Sequence, residues 1–243
     1  LKAPSELFTV PPRLLPESPT LSHYRRVLME SSVPRAFLNS LVVSSVSVLI
    51  SLAIGTPAAY GFARFRFPGA GAFGLGVLFT QLLPGAVVLV PYFIILTRLG
   101  LVNSLMGVAL AYVVQTSPLA IWLLRGYVAS VPPELEDAAQ VDGCTRLGAV
   151  VRITMPAILP GLFATATYAF ITAFEEFLFA LVFTSSDRSR TLPVALALFK
   201  GEFETDWGGM MAASVLMTIP VLALFGIAGR YLLRGMLAGA VKG

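Results

Sequence analysis

The chain has 243 residues, 56% of them hydrophobic and only 12% charged, with a mean hydropathy of +0.82 and a net charge of +4. Such a composition is far more apolar than that of a soluble domain and places the chain in a membrane, while the small, scattered positive charge asks for no nucleic acid. The single cysteine, Cys144, excludes an internal disulfide.

Residues 1–35 are polar and carry Pro4, Pro11, Pro12, Pro16 and Pro19. They read as an extended external segment with one short helix over 21–30. A bilayer core needs roughly 20 apolar residues, and uncharged windows of that length mark the spans. They are 36–63, 67–97, 99–124, a fourth from 153 that continues through Glu175 and Glu176 to 186, and 207–229, which makes five. Gly55, Pro57, Pro84, Gly85, Pro91, Pro118, Pro160, Gly161 and Pro220 punctuate them. Broken backbone at membrane depth is tolerated where it is buried or lines a cavity, so these positions are candidate hinges; membrane helices also tolerate such residues without a break.

The stretch 131–156 carries six charged groups between two apolar windows: Glu134, Glu136, Asp137, Asp142, Arg146 and Arg152. Pro132 and Pro133 suit the first turn of a helix, and Glu134, Glu136 and Asp137 put negative charge where the helix dipole favours it. Ala138 and Ala139 leave one side without bulk, so another surface can approach closely. Gly143 permits a reversal that a side chain would strain, and Thr145 can cap a second short helix. The stretch therefore predicts a helix-turn-helix elbow at a membrane surface.

Glu175 and Glu176 are the only carboxylates inside a predicted span. A charge at that depth costs several kcal/mol unless it faces a cavity or a partner. Neighbouring positions on a helix point about 100° apart, so one of the two is expected to face a pathway and the other a structural contact. Catalytic constellations are missing from the sequence. A nucleotide cradle needs Lys followed by Ser or Thr, whereas Lys2, Lys200 and Lys242 are followed by Ala, Gly and Gly. The sole histidine, His23, lies outside the spans, and no GxSxG occurs. The chain reads as having no cofactor, metal or catalytic machinery of its own, so any energy it uses comes from a partner or a gradient.

The spacing Asp137-Ala138-Ala139, three residues, Gly143, nine residues, Ile153-Thr154-Met155-Pro156 resembles the EAA signature of ABC importer permeases. That signature usually runs EAA, three residues, G, nine residues, I, one residue, LP, so Asp137 stands for its glutamate and Met155 for its leucine. Further stretches are similar to carbohydrate-type members. AFEEFLFAL corresponds to their AWNEFLLAL, with Phe174 for tryptophan and Glu175 for asparagine. RYLLRGMLAGAVKG resembles their tail RYFVRGLTAGAVKG, and SELFTVPPRLLPESPTLSHYRRVL and the run to AYGFARFRFPG also match. The chain thus resembles the shorter permease subunit of maltose/trehalose-type importers over nearly its whole length.

The resemblance implies an all-α integral membrane protein with the type I ABC importer permease fold: residues 36–243 as the permease domain and 1–35 following a first span upstream, with a complete five-span protein as the alternative. It makes the elbow a coupling helix seated in a cleft of an ATPase subunit, a role carried to Glu136, Asp137, Ala138, Ala139, Asp142, Gly143, Ile153 and Pro156. It brings Gly239, Ala240, Val241 and Lys242 to the ATPase dimer, and Glu175 or Glu176 to the substrate pathway. The implied partners are a homologous second permease subunit, two ATPase subunits that bind ATP and Mg, a solute-binding protein outside the cytoplasmic membrane, and the lipid bilayer.

With elbow and C-terminus cytosolic, the inner side holds eight basic residues and the outer nine; without residues 1–35 the count is eight against four, as the positive-inside rule asks. Two classes of function remain open on the residues alone. One is an ATP-driven sugar permease half, with a polyamine or glycerol phosphate permease as its variant. The other is a gradient-driven carrier using Glu175 or Glu176 to carry protons.

Overall fold

The computed structural model describes residues 1–12, 14–201 and 205–240, with side chains as far as residue 227. Among these residues the fold is helical, and one isolated antiparallel bridge between Lys200 and Thr205 is the only β pairing. A short helix α1 (Ser22–Glu30) leads into the long α2 (Val33–Arg64). Then come α3 (Ala70–Phe79), α4 (Gly85–Arg98) and α5 (Leu105–Ser130). The elbow is built from α6 (Pro133–Val141), α7 (Arg146–Ala149), one π turn (Val150–Thr154) and α8 (Met155–Ala157). Finally α9 (Leu159–Phe174), α10 (Leu178–Phe183), α11 (Leu192–Ala197) and α12 (Trp207–Ala240) complete the chain.

The pairing of α2 with α5 is the most extensive in the fold, and its chemistry explains why. Ser40, Ser44, Ser47 and Ser51 lie buried along α2 at spacings of four, three and four, so they share one helix face. Small polar residues let two backbones come close without lipid between them. Ser47 Oγ donates to the Val43 carbonyl and, across the interface, lies 3.1 Å from the Ala109 carbonyl oxygen. The Ser51 and Thr116 hydroxyls are 2.7 Å apart. Around this seam sit apolar clusters, one joining Val43, Val108, Tyr112, Phe179 and Phe183, another joining Val27, Val33, Phe174, Leu192 and Ala213.

Among the described residues three helices are long and apolar enough to cross a membrane: α2, α5 and α12 over Trp207–Ile227. The count of five holds only when each of two bent pairs is taken as one span. The window 67–97 is not a straight span. It is α3 and α4, set 98° apart. The break falls at Pro84: Leu83 is extended (φ −71°, ψ 125°), the conformation that a proline ring favours in the residue before it, and Pro84 takes ψ 129°. The fourth window is also broken. Arg146–Ala157 meets α9 at 70°, with Pro160 inside the first turn of α9, and Glu175–Phe177 separate α9 from α10. By contrast Pro57, Pro91, Pro118 and Pro220 sit inside continuous helices.

The apolar run near 194–199 forms α11, which is packed into the fold: Leu192, Val194 and Ala195 are buried. The loop before it is pinned by two asparagines. Asn39 Nδ2 donates to the Arg188 and Arg190 carbonyls at 3.1 and 2.8 Å. Asn103, at φ +60°, accepts at Oδ1 from the Ser185 and Ser186 amides at 3.0 and 3.2 Å.

Candidate functional site

The elbow has the local structure its residues dictate. Pro132 precedes α6 as its cap and Pro133 opens it, with Glu134 and Glu136 in the first turn. Gly143 turns the chain at φ +91°, a conformation that costs other residues about 1–2 kcal/mol. Thr145 then caps α7, its hydroxyl accepting from the Gly148 amide at 3.1 Å. The π turn that follows widens the helix by a residue and presents Thr154 inward.

Adjacent residues of α6 divide their tasks. Asp137, Ala138, Asp142 and Gly143 are exposed, as is Pro156, whereas Ala139 and Glu136 are buried and Ile153 is half-buried. Glu136 faces the fold. Its Oε1 accepts from Arg64 Nε at 2.9 Å and from Thr154 Oγ1 at 2.7 Å, and its Oε2 accepts from Tyr60 Oη at 2.7 Å. Arg64 also donates to the Val131 carbonyl at 2.8 Å. The ion pair is nearly dry, with side-chain exposures of 9% and 7%. Burial alone would raise the Glu136 carboxyl, but the hydrogen bonds from Tyr60, Thr154 and Arg64, with the Arg64 charge, hold it below the usual carboxylate range.

One carboxylate therefore ties both limbs of the elbow to the last turn of α2. Tyr60, Arg64 and Thr154 were not singled out from the sequence. Tyr60 and Arg64 are four apart at a span's end, so they share a helix face, and that spacing is the one signal that could have marked them. At the root of the elbow, α9 presses on α5: a β-carbon on Gly161 would lie 2.2–2.6 Å from the Tyr127 ring. The tip of the elbow is apolar and uncovered. Val141 is 88% exposed and Leu147 73%.

Glu175 and Glu176 lie at the other end of α9, about 24 Å away along a 16-residue helix. The two have separate fates. Glu176 receives the Phe179 and Ala180 amides at 3.0 and 3.3 Å and so caps α10, while Tyr112 Oη donates to its carbonyl at 3.2 Å. Glu175 is exposed. Of the tail candidates, Val241 and Lys242 lie outside the described residues, and Gly239 and Ala240 are described only as backbone at the end of α12.

Residues 41–238 match the family model of the binding-protein-dependent transport system inner membrane component. The chain belongs to that family. It is a permease subunit embedded in the inner membrane and not an enzyme, and the matched residues take in α5, the whole elbow and the break at Glu175–Phe177. The chain is 38% identical to the trehalose/maltose transport system permease protein of Thermococcus litoralis, over 92% of this chain and 82% of that one. It is 37% identical to the diacetylchitobiose uptake system permease protein of Streptomyces coelicolor, over 100% and 88%. Among solved structures, a bacterial ABC transporter involved in import of the acidic polysaccharide alginate superposes with a TM-score of 0.77 at 24% identity, covering 90% of this chain and 81% of that one. The sequence and the shape thus lead to the same permease fold.

Proposed function

We propose that this permease imports a sugar of the di- or oligosaccharide class, forming half of the pathway beside a homologous permease subunit. Two ATPase subunits, which carry the ATP and Mg, grip the elbow from the cytosol, and an external solute-binding protein delivers the sugar. The observation that carries this reading is the elbow itself: a knuckle with an exposed apolar tip at Val141 and Leu147, anchored from behind by the Glu136 cluster. A surface that only solvated a loop would need no such anchor. Nucleotide-driven closure of the ATPases moves the knuckle, and the rigid connection passes that motion to α2 and α9, switching the pathway between inward-open and outward-open.

The relatives named for trehalose/maltose and diacetylchitobiose support a sugar over a polyamine or glycerol phosphate. In this reading Glu175 is the residue of this chain that meets solute: its carboxylate is left exposed, and a carboxylate at membrane depth needs a cavity or a partner. The gradient-driven reading loses one of its two proton carriers, since Glu176 is occupied as a helix cap. The test is uptake by the reconstituted assembly. Gly143→Asp should abolish uptake while the ATPase subunits still hydrolyse ATP, and uptake by the permease alone under a pH gradient would overturn the reading.

A further inference from the structure

Behind the elbow lies a groove of about 740 Å³ that also borders Tyr60 and Thr154 of the Glu136 cluster and Leu147 of the elbow's tip. Its walls are Leu52 and Pro57 of α2, Val128 of α5, Val151 and Met155 of the elbow, and Leu162 of α9. Water gains nothing on such walls, and hydrocarbon fills them with no loss of hydrogen bonds. The groove runs from α2 and α5, both long and apolar enough to cross a membrane, to the elbow, so an acyl chain can enter it from the bilayer.

One charged side chain lines the groove. The Arg146 guanidinium carbon sits 4.5 Å from the centroid of the Phe65 ring, which fixes its place by a cation–π contact. The neighbouring carboxylate cannot neutralise it. Glu136 is already held by Arg64 at 2.9 Å and by the Tyr60 and Thr154 hydroxyls at 2.7 Å each. Arg64, Glu136 and Arg146 together thus carry a net positive charge of one beside an apolar trough. A cation at headgroup level beside an apolar cleft between membrane helices is complementary to an anionic lipid.

We propose that this groove is a binding site for an anionic phospholipid, with acyl chain along Leu52, Pro57 and Leu162 and phosphate on Arg146. The lipid wedges α2, α9 and the elbow together, so it stiffens the same joint that Glu136 ties. This site is independent of which solute the transporter carries.

A tryptophan placed in the groove reports its occupant. The assembled transporter carrying Leu52→Trp is put into nanodiscs with brominated phosphatidylglycerol or brominated phosphatidylcholine, and quenching is read against the parent with its Trp122 and Trp207. The phosphatidylglycerol should quench the added signal at about fivefold lower mole fraction, the worth of one basic residue at an anionic surface. Adding Arg146→Gln should remove the difference, and Arg146→Lys, which keeps the charge, should retain it. Equal quenching by the two lipids, or a preference that survives Arg146→Gln, would overturn the assignment. So would absence of quenching, which means polypeptide covers the groove, or displacement of the lipid by inorganic phosphate, which means that the apolar walls contribute nothing.

Discussion

Replacing Glu136 by alanine tests the anchor directly. The change strands three donors, Arg64 Nε, Tyr60 Oη and Thr154 Oγ1, which now sit 2.7–2.9 Å from the carboxylate. It also leaves the Arg64 charge in a site where that side chain is only 9% exposed. Removing one member of a buried pair costs about 3–5 kcal/mol. The loss falls on the joint between elbow and α2, so it appears as local opening before global unfolding. At 1.4 kcal/mol per tenfold, amide hydrogen exchange across 133–157 should accelerate by about a hundredfold to a few thousandfold, while the α2–α5 seam keeps its protection. The double variant Glu136→Ala/Arg64→Ala should be milder than the two single losses added together, because no charge remains unpaired. Unchanged exchange in the elbow of Glu136→Ala would refute the idea that this cluster holds the joint.

Acid should loosen the same joint. The Glu136 carboxyl is depressed by its bonds in the folded state, so the stability it adds is complete above the ordinary glutamate range, about 4.3, and is lost as pH falls below it; exchange protection of the elbow should hold from pH 8 to 5 and drop below about 4. Glu175→Ala should lower sugar uptake and leave the melting temperature unchanged, whereas Glu176→Ala should lower melting through loss of the α10 cap, worth about 0.5–2 kcal/mol. Paired uptake and melting curves separate the two. Gly161→Ala forces the Tyr127 ring aside and should cost about 1–3 kcal/mol, read as a lower melting temperature.

The elbow was readable in the sequence because its signals are local. Pro133 at a helix start, Gly143 at positive φ and Thr145 as a cap each act within four residues. The windows of α2 and α5 were readable for the same reason, since hydropathy needs no knowledge of neighbours. The bend at Pro84 was readable only as one candidate hinge among nine positions. Pro57, Pro91, Pro118 and Pro220 look alike in the sequence and leave their helices whole; the surroundings decide which proline breaks a span. The inward turn of Glu136 was hidden too, because the partners that claim it stand 72 and 76 positions earlier. Likewise the Asn39 and Asn103 clasps depend on a loop about 150 and 82 positions away.

The right-angled arm of α3 and α4 bears on how the protein can exist in a cell. Between them these two helices bury only Gly74 and Leu96, and at their 98° corner the helical bonding of the backbone is interrupted. Hydrocarbon offers that corner no substitute for the lost bonds. A copy synthesised in excess of its companions would carry that broken corner without a subunit to shelter it, a natural target for membrane quality-control proteases. Its abundance would then follow the supply of the subunit that shelters it and not the rate of its own translation.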